Sequence, residues 1–362
     1  GGRGALGRGV VVGGGRLLGG GGGGEPPEGG AGEASSGERR APTVRHQAVE
    51  EALAAGDEYF RVVRLGDAAT ILETLVERAP DHLEARELFG QVRLAQGHEA
   101  SSSGRRVRAR VFFEQAAEQY RQALRIEPEV AGLHHSAGLV FNEAGHEGEA
   151  LAAFERAVTL DPEQPQYGLY AAQLHLRTGD LERAASLLDR VLAQDPRLPH
   201  AHASMALVHL ERGETDAALA AIARARELDP KEVTFRAQEA RILRRGGDAE
   251  AALTRLLPLW DPDRVVLIVA EELARAYAAL GQPERAAEAW QATYQGYLDA
   301  GDDAGAAAAA RSAARSLHAA GRRQMALLWV QQASTIAPED PRNAALEATI
   351  REAPASSDQS RP

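Results

Sequence analysis

The 362-residue sequence predicts an all-α fold, a solenoid of about seven antiparallel helix hairpins. Three columns of residues recur every 34 positions, and a fixed period of this length is typical of stacked structural repeats. The first column is glycine: Gly145, Gly179, Gly213, Gly247 and Gly281. The second is alanine: Ala150, Ala184, Ala218, Ala252 and Ala286. The third holds only small residues: Gly138, Ala172, Ala206, Ala240 and Ala274.

Each column has a physical role in the hairpin. The first helix of the best-defined unit covers about 131–144 and ends at Gly145, which suits a left-handed C-cap. The small column, represented by Gly138, lies where two helices approach closely. The second helix carries Ala150 and, four residues later, Phe154, so both lie on one buried stripe. A proline stops the second helix in three successive units: Pro162, Pro196 and Pro230. One hairpin cannot bury its apolar face alone, and stacking completes the core.

The segment "AGLVFNEAGHEGEALAAFERAVTLDP" (137–162) resembles a tetratricopeptide repeat, and the match extends over roughly 83–338. This resemblance implies that the hairpins form a right-handed superhelical solenoid. Two features depart from the family pattern. His134 stands in place of the family's early tryptophan, and the aromatic column contains non-aromatic and histidine residues: Phe141, His175, His209, Leu243 and Tyr277. We expect His175 and His209, the two histidines of the aromatic column, to pack in the core.

The period also predicts the domain boundaries. The solenoid covers 44–353, beginning with a shortened repeat at 66–80 and ending with a capping helix at about 340–353. Residues 1–43 hold 18 of the 37 glycines, and a segment of this composition is predicted to be disordered. A disordered tail follows at 354–362.

Two insertions interrupt the period. Gly97 and Gly145 are 48 residues apart, so 14 extra residues lie near 99–112, between the two helices of one repeat. Part of this insertion is expected to extend the second helix backward. Four arginines and a serine run give it two interpretations, a basic contact or phosphorylation loop or simply a solvated loop: Ser101, Ser102, Ser103, Arg105, Arg106, Arg108 and Arg110. The second insertion adds six residues, because Gly281 and Gly321 are 40 residues apart.

Composition and motifs exclude several function classes. The chain has no cysteine, and its formal net charge of −11 argues against nucleic-acid binding. The sequence contains no run of 18 apolar residues, so no membrane-spanning helix is predicted. No catalytic signature occurs, so we expect neither enzymatic activity nor a cofactor. Six histidines cluster along three units and suggest a metal site: His134, His135, His175, His200, His202 and His209. Packing is favoured over metal binding, because His175 and His209 stand in the buried aromatic column.

The remaining candidate is the concave wall of the solenoid. In the family, ligands contact first-helix positions that here correspond to His135, Leu139, Asn142, Leu169, Gln173, Leu176, Leu207, Leu210, Arg241, Arg244, Arg275, Arg311 and Arg315. The lysine and asparagine of the family's carboxylate clamp are absent. The alternative is that the leucines pack between helices and that the arginines pair with Glu271 and Glu272. Glu271 and Arg275 have i, i+4 spacing, which predicts an ordinary ion pair on the helix surface.

These observations predict a non-catalytic scaffold that binds a protein or peptide, favouring an acidic segment, in its groove. Two alternatives stay open at the level of sequence: the repeats are part of a larger enzyme, or the protein assists assembly or secretion at a bacterial envelope. The sequence favours a cytoplasmic location and leaves the periplasm open. It gives no prediction of oligomeric state.

Overall fold

The computed structural model describes residues 44–62, 64–261 and 264–352. Within these ranges the chain forms seventeen α-helices and one short 3₁₀-helix, and no strand. The predicted disordered segments 1–43 and 354–362 lie outside the described residues, so their predicted disorder remains a prediction.

Sixteen of the helices form eight antiparallel pairs. The first four hairpins are α1–α2 (Val44–Arg61, Leu65–Arg78), α3–α4 (Leu83–Ser102, Arg106–Ile126), α5–α6 (Ala131–Ala144, Glu147–Leu160) and α7–α8 (Pro165–Thr178, Leu181–Gln194). The next four are α9–α10 (Pro199–Glu211, Thr215–Leu228), α11–α12 (Val233–Arg245, Ala249–Leu256), α13–α14 (Leu267–Ala279, Pro283–Ala300) and α15–α16 (Asp303–Ala319, Arg323–Ile336). A last helix, α17 (Pro341–Glu352), covers the C-terminal end. The described part of the chain thus has one hairpin more than predicted, because α1 completes the shortened first repeat.

The two strongest columns act as the sequence predicts. The glycine column has left-handed backbone throughout, with φ between 68° and 97°, and each glycine follows a first helix. At the small column, a Cβ built on Gly138 would lie 2.6 Å from the ring of Phe154 on the second helix. A larger residue there would push the two helices apart, so the column is small because the hairpin is tight.

The stacking order places the first helices on the inside of the curve. Each hairpin packs against the next, and in addition several first helices touch the following first helix, as in α7–α9, α9–α11 and α11–α13. Helices that stay in contact across repeats lie on the shorter, concave side. The odd-numbered helices therefore form the inner face and the even-numbered helices the outer face, with an alanine-rich core between them.

Both insertions lengthen helices. α3 and α4 have 20 and 21 residues, and α14 and α15 have 18 and 17, whereas the helices of the hairpins α5–α6 and α7–α8 have 14. The 14-residue insertion forms the ends of both α3 and α4, joined by a turn at 103–105, so most of it is helical.

Candidate functional site

One column of the period runs along the inner face. Its members follow each other at intervals of 34 residues and, at the last step, 40: Leu139, Gln173, Leu207, Arg241, Arg275 and Arg315. All but Leu207 keep part of their surface open to solvent. The column changes from apolar and neutral residues on α5–α9 to arginine on α11, α13 and α15. A ligand lying along the inner face would meet these side chains in sequence.

The predicted apolar middle of the groove is mostly closed. Leu169, Leu207 and Leu210 are 8%, 6% and 2% exposed and pack against neighbouring helices. Leu176 is half-buried and packs against the edges of the same clusters, and Leu139 is half-buried at the edge of the cluster around Phe141 and Phe154. The buried leucines stabilise the stacking of the hairpins, as the alternative interpretation held, and only the two half-buried ones offer apolar surface to a ligand.

His135 lies inside an aromatic cluster rather than on an open wall. Its ring centroid is 5.0 Å from those of Tyr167 and Tyr170 and 5.9 Å from that of Phe154. Its Nε2 is buried and has no hydrogen-bond partner among the described residues. Burial lowers the pKa of His135 to about 4, so the imidazole is neutral at pH 7. The sequence shows the two tyrosines, but spacing alone does not place them against α5.

The other half-buried polar residues of the middle are Asn142 and Gln173. Asn142 Oδ1 accepts a hydrogen bond from Arg177 on α7, so this side chain links two first helices. Gln173 is half-buried at the centre of α7. In the column it stands between Leu139 and Leu207, and it is the one uncharged polar member.

A charged cluster occupies the inner face of α11 and α13. Arg244 donates to Glu272 Oε2 from Nε and Nη2, at 3.0 and 2.9 Å. Arg275 pairs with both Glu271 and Glu272 at 2.6 Å. The side chains of Glu271 and Glu272 are only 10% and 2% exposed. Those of Arg275 and Arg244 are 31% and 19% exposed. The expected surface pair Glu271–Arg275 is therefore a buried one, and both arginines have fixed carboxylate partners.

Aromatic side chains complete the cluster. The Arg275 guanidinium lies over the Trp290 ring, 5.4 Å from its centroid. The Tyr297 hydroxyl on α14 donates to Glu271 Oε1. Burial, followed by the neighbouring Glu271 carboxylate, raises the pKa of Tyr297 far above its usual range, so the phenol stays protonated and keeps this donor. We call Arg244, Glu271, Glu272, Arg275 and Tyr297 the charged cluster.

Two arginines of the column are more loosely held. Arg241 Nη2 lies 3.8 Å from Glu211 Oε1, and Arg245 forms a shorter ion pair with the same carboxylate oxygen. Burial lowers the pKa of Arg241, although its guanidinium remains charged at neutral pH. Arg315 is exposed and donates to Ser312 on its own helix at 2.9 Å. These two side chains have donor capacity to offer to an outside carboxylate.

The last predicted arginine has a structural place. Arg311 is 4% exposed, and its Nη1 lies 3.0 Å from Asp340 Oδ2 and 3.0 Å from Asn343 Oδ1. It joins α15 to the start of α17. Arg311 therefore holds the capping helix and is not accessible from the groove.

The histidines do not form a common site. His175 is 2% exposed and its Nε2 lies 3.1 Å from Glu155 Oε1, in line with the expected packing. His209 is only partly buried and pairs with Glu214 at 2.6 Å, so the expectation that it packs in the core is wrong. Among the residues that the structure describes, no three His, Asp or Glu side chains converge as a metal ligand set.

Within the described ranges, no helix has the length and hydropathy needed to span a membrane.

The fold and the inner face define a helical-repeat solenoid. Two family models, each described as tetratricopeptide repeat, match the chain, one at 141–208 and the other at 104–165 and 204–261. Residues 104–261 thus match tetratricopeptide repeats, and hairpins of the same form continue on both sides of the matched residues. Repeats of this family are protein-interaction scaffolds and generally have no catalytic activity.

Solved structures agree on the fold. A tetratricopeptide repeat protein from Parabacteroides merdae is 15% identical, with a TM-score of 0.57, and the match covers 69% of this chain and 93% of that one. A chain of the APC/C hetero-tetramer Cut9–Hcn1 is 16% identical, with a TM-score of 0.53, over 86% of this chain and 57% of that one. A comparison with curated proteins finds no match. At these identities the likeness concerns the fold alone.

Proposed function

We propose that the protein is a non-catalytic scaffold whose inner face binds an extended acidic segment of another protein. The observation that carries this proposal is the arginine run at one column of the period, Arg241, Arg275 and Arg315, on the inner faces of three successive hairpins. Arginine suits the task because its planar fork donates two parallel hydrogen bonds to a carboxylate. The inner face is therefore locally basic, whereas the whole chain has a formal net charge of −11.

The three arginines would contribute differently. Arg275 is held by Glu271 and Glu272, so its guanidinium is oriented and largely neutralised. Arg241 and Arg315 are the members with loose or neutral partners, and they would make the direct contacts with the acidic segment. The half-buried Leu139 and Leu176 would contact the apolar side chains of the same segment. Charged contacts at such a surface mainly set orientation and association rate.

Affinity capture with paired charge variants tests the proposal. Wild-type protein is used as bait in a native lysate, and the captured proteins are identified by mass spectrometry. Arg241→Glu with Arg315→Glu should lose the captured partner, and poly-glutamate should release it from the wild type. The matched control is Arg183→Glu with Arg224→Glu, which changes the net charge equally but acts on the outer helices α8 and α10, where both side chains are exposed. Equal capture by both variants would contradict the proposed groove.

The structure also defines which variant to avoid. Arg275→Glu would place a third carboxylate beside Glu271 and Glu272 in a buried setting, and like charges without a cation are costly there. Loss of binding in that variant would report unfolding rather than recognition. Arg241 and Arg315 avoid this difficulty, because neither has a close buried partner.

A further inference from the structure

The two insertions, almost 200 residues apart in sequence, meet in the fold. Arg106, the first residue of α4, forms an ion pair with Asp303, the first residue of α15. Its Nη2 also donates to the carbonyl oxygen of Leu298 on α14 at 2.7 Å. Gly301 lies under the Arg106 side chain, and α3 and α14 are in contact as well. We call the contact between the 103–106 turn and the 298–303 turn the clasp.

The clasp exists because both partners are elongated. α3 and α4 exceed the 14-residue helices by six or seven residues, and α14 and α15 by three or four. At 1.5 Å per residue these extensions add a reach of roughly 15 Å in total. Helices of the regular repeat length would leave the two turns farther apart. The irregular spacings of 48 and 40 residues in the sequence thus serve one and the same contact.

The extended part of α3–α4 is packed well enough to hold the turn in place. A Cβ on Gly97 would lie 2.3 Å from the Phe113 ring, so the two helices touch closely at this level. Nearer the tip, Ala100 and Ala109 are 1% and 4% exposed. Small residues on facing sides let the two helices continue side by side to the turn, and Arg106 projects from a supported end.

The position of the clasp closes the solenoid. The 103–105 turn joins the helices of one hairpin, whereas 301–302 joins one hairpin to the next, so in a stack of hairpins these turns lie at opposite edges. Their contact brings the edge of the second hairpin against the opposite edge of the seventh and eighth. The inner helices α5, α7, α9, α11 and α13 lie between the two contacting turns along the chain, so the contact joins the two ends of this row of hairpins.

We propose that the clasp holds the solenoid closed in solution and restricts access of large molecules to the inner face. Closure itself is independent of any partner. Its consequence for binding rests on the proposed groove, since a partner segment would reach Arg241 faster when the clasp is open. The ion pair is half-exposed, with side chains 32% and 54% exposed, so closure is readily reversible.

Cross-linking tests closure directly, because the chain has no cysteine of its own. Ser103→Cys and Ala304→Cys place one exposed thiol on each side of the clasp, the second at the start of α15. A short bismaleimide should join them within one chain and yield a product of monomer mass. Arg106→Glu should lower the yield several-fold, since it opposes Asp303 with a like charge, and Arg106→Glu with Asp303→Arg should recover most of it. A yield that is insensitive to these changes, or a product of dimer mass, overturns closure.

Labelling rates test access to the inner face. Gln173→Cys reports from the inner helix α7, and Ser186→Cys is the matched control on the outer helix α8, where Ser186 is exposed. Arg106→Glu should raise the rate of Gln173→Cys with a bulky PEG-maleimide several-fold, and should leave the rate with N-ethylmaleimide and both rates of Ser186→Cys unchanged. Equal PEG-maleimide rates at Gln173→Cys with and without Arg106→Glu overturn restricted access. Neither assay uses a partner, so failure here leaves the acidic groove standing, and failure of capture leaves the clasp standing.

Discussion

Two adjacent carboxylates buried on one helix are expensive unless each has a cation, and α13 provides this arrangement. Glu272 is in contact with Arg244 and Arg275, and Glu271 with Arg275 and the Tyr297 hydroxyl. The three partners, Arg244, Arg275 and Tyr297, come from α11, α13 and α14, so the charged cluster connects two successive hairpins. Its role for the groove is positional, because it fixes where the guanidinium groups point.

The first prediction concerns Glu272. Glu272→Ala should lower the free energy of unfolding by about 2–3 kcal/mol, because it leaves two partly buried guanidinium groups without their shared carboxylate. Glu182→Ala is the control, since Glu182 is 83% exposed and 3.9 Å from Arg212, and it should change stability by less than about 0.5 kcal/mol. Urea unfolding followed by circular dichroism measures both. Equal effects would show that the cluster contributes nothing beyond an exposed pair.

The second prediction concerns the pH dependence of stability through His135. Its pKa is about 4 in the fold and near 6.5 in the unfolded chain, so the unfolded state binds more protons between these values. Stability should therefore fall as the pH is lowered from about 6.5 to 4, by about 3 kcal/mol from this residue. His135→Leu should remove this part of the loss, and leucine fits because Leu169 occupies the equivalent place one repeat later. Thermal melting of the wild type and of His135→Leu over this pH range measures the difference.

At the scale of the helices, the 34-residue period predicted the features that depend on backbone conformation and on close packing of two helices. Glycine at the end of each first helix is required by left-handed φ values, and the small column by contacts such as Gly138 with Phe154. Burial of the inner residues could not be predicted in the same way. Leu207 and Arg241 occupy the same column, yet one is buried and the other half-open, because the neighbouring helix decides the exposure and its packing is not encoded in the spacing.

The third prediction regularises the second hairpin. Deleting residues 98–111 removes the 14 extra positions and joins Gly97 to Phe112, which restores the normal spacing to Ala116. The deleted stretch contributes no large core side chain, since Val107 is 83% and Val111 48% exposed and its buried residues are the small Ala100 and Ala109. Helical content per residue should stay unchanged and the melting temperature should shift by only a few degrees. Loss of cooperative unfolding would mean that the extension supplies essential core contacts.

At the scale of the whole molecule, the class of fold followed from the sequence and the closure did not. Two irregular spacings, each read separately, indicate only that helices or loops are longer at two places. That these places meet depends on the curvature accumulated over five hairpins, which small differences at every interface determine. The same reasoning explains the candidate site: the arginine column is visible in the sequence, but the carboxylates that neutralise part of it become partners only in the stacked structure.

The last prediction uses the capping helix to test how far a local change travels. Arg311→Ala removes the link from α15 to Asp340 and Asn343, so α17 should detach and expose the face that buries Ile350. In an open solenoid such a loss affects only neighbouring repeats. Here α15 carries Asp303 of the clasp, so hydrogen exchange should become several-fold faster in α15–α17 and also at residues 100–110 of the distant hairpin. Arg315→Ala is the control on the same helix, since its described bond is to Ser312, and it should leave both regions unchanged. Faster exchange in α15–α17 with unchanged exchange at 100–110 would show that the two ends behave independently and that the clasp transmits nothing.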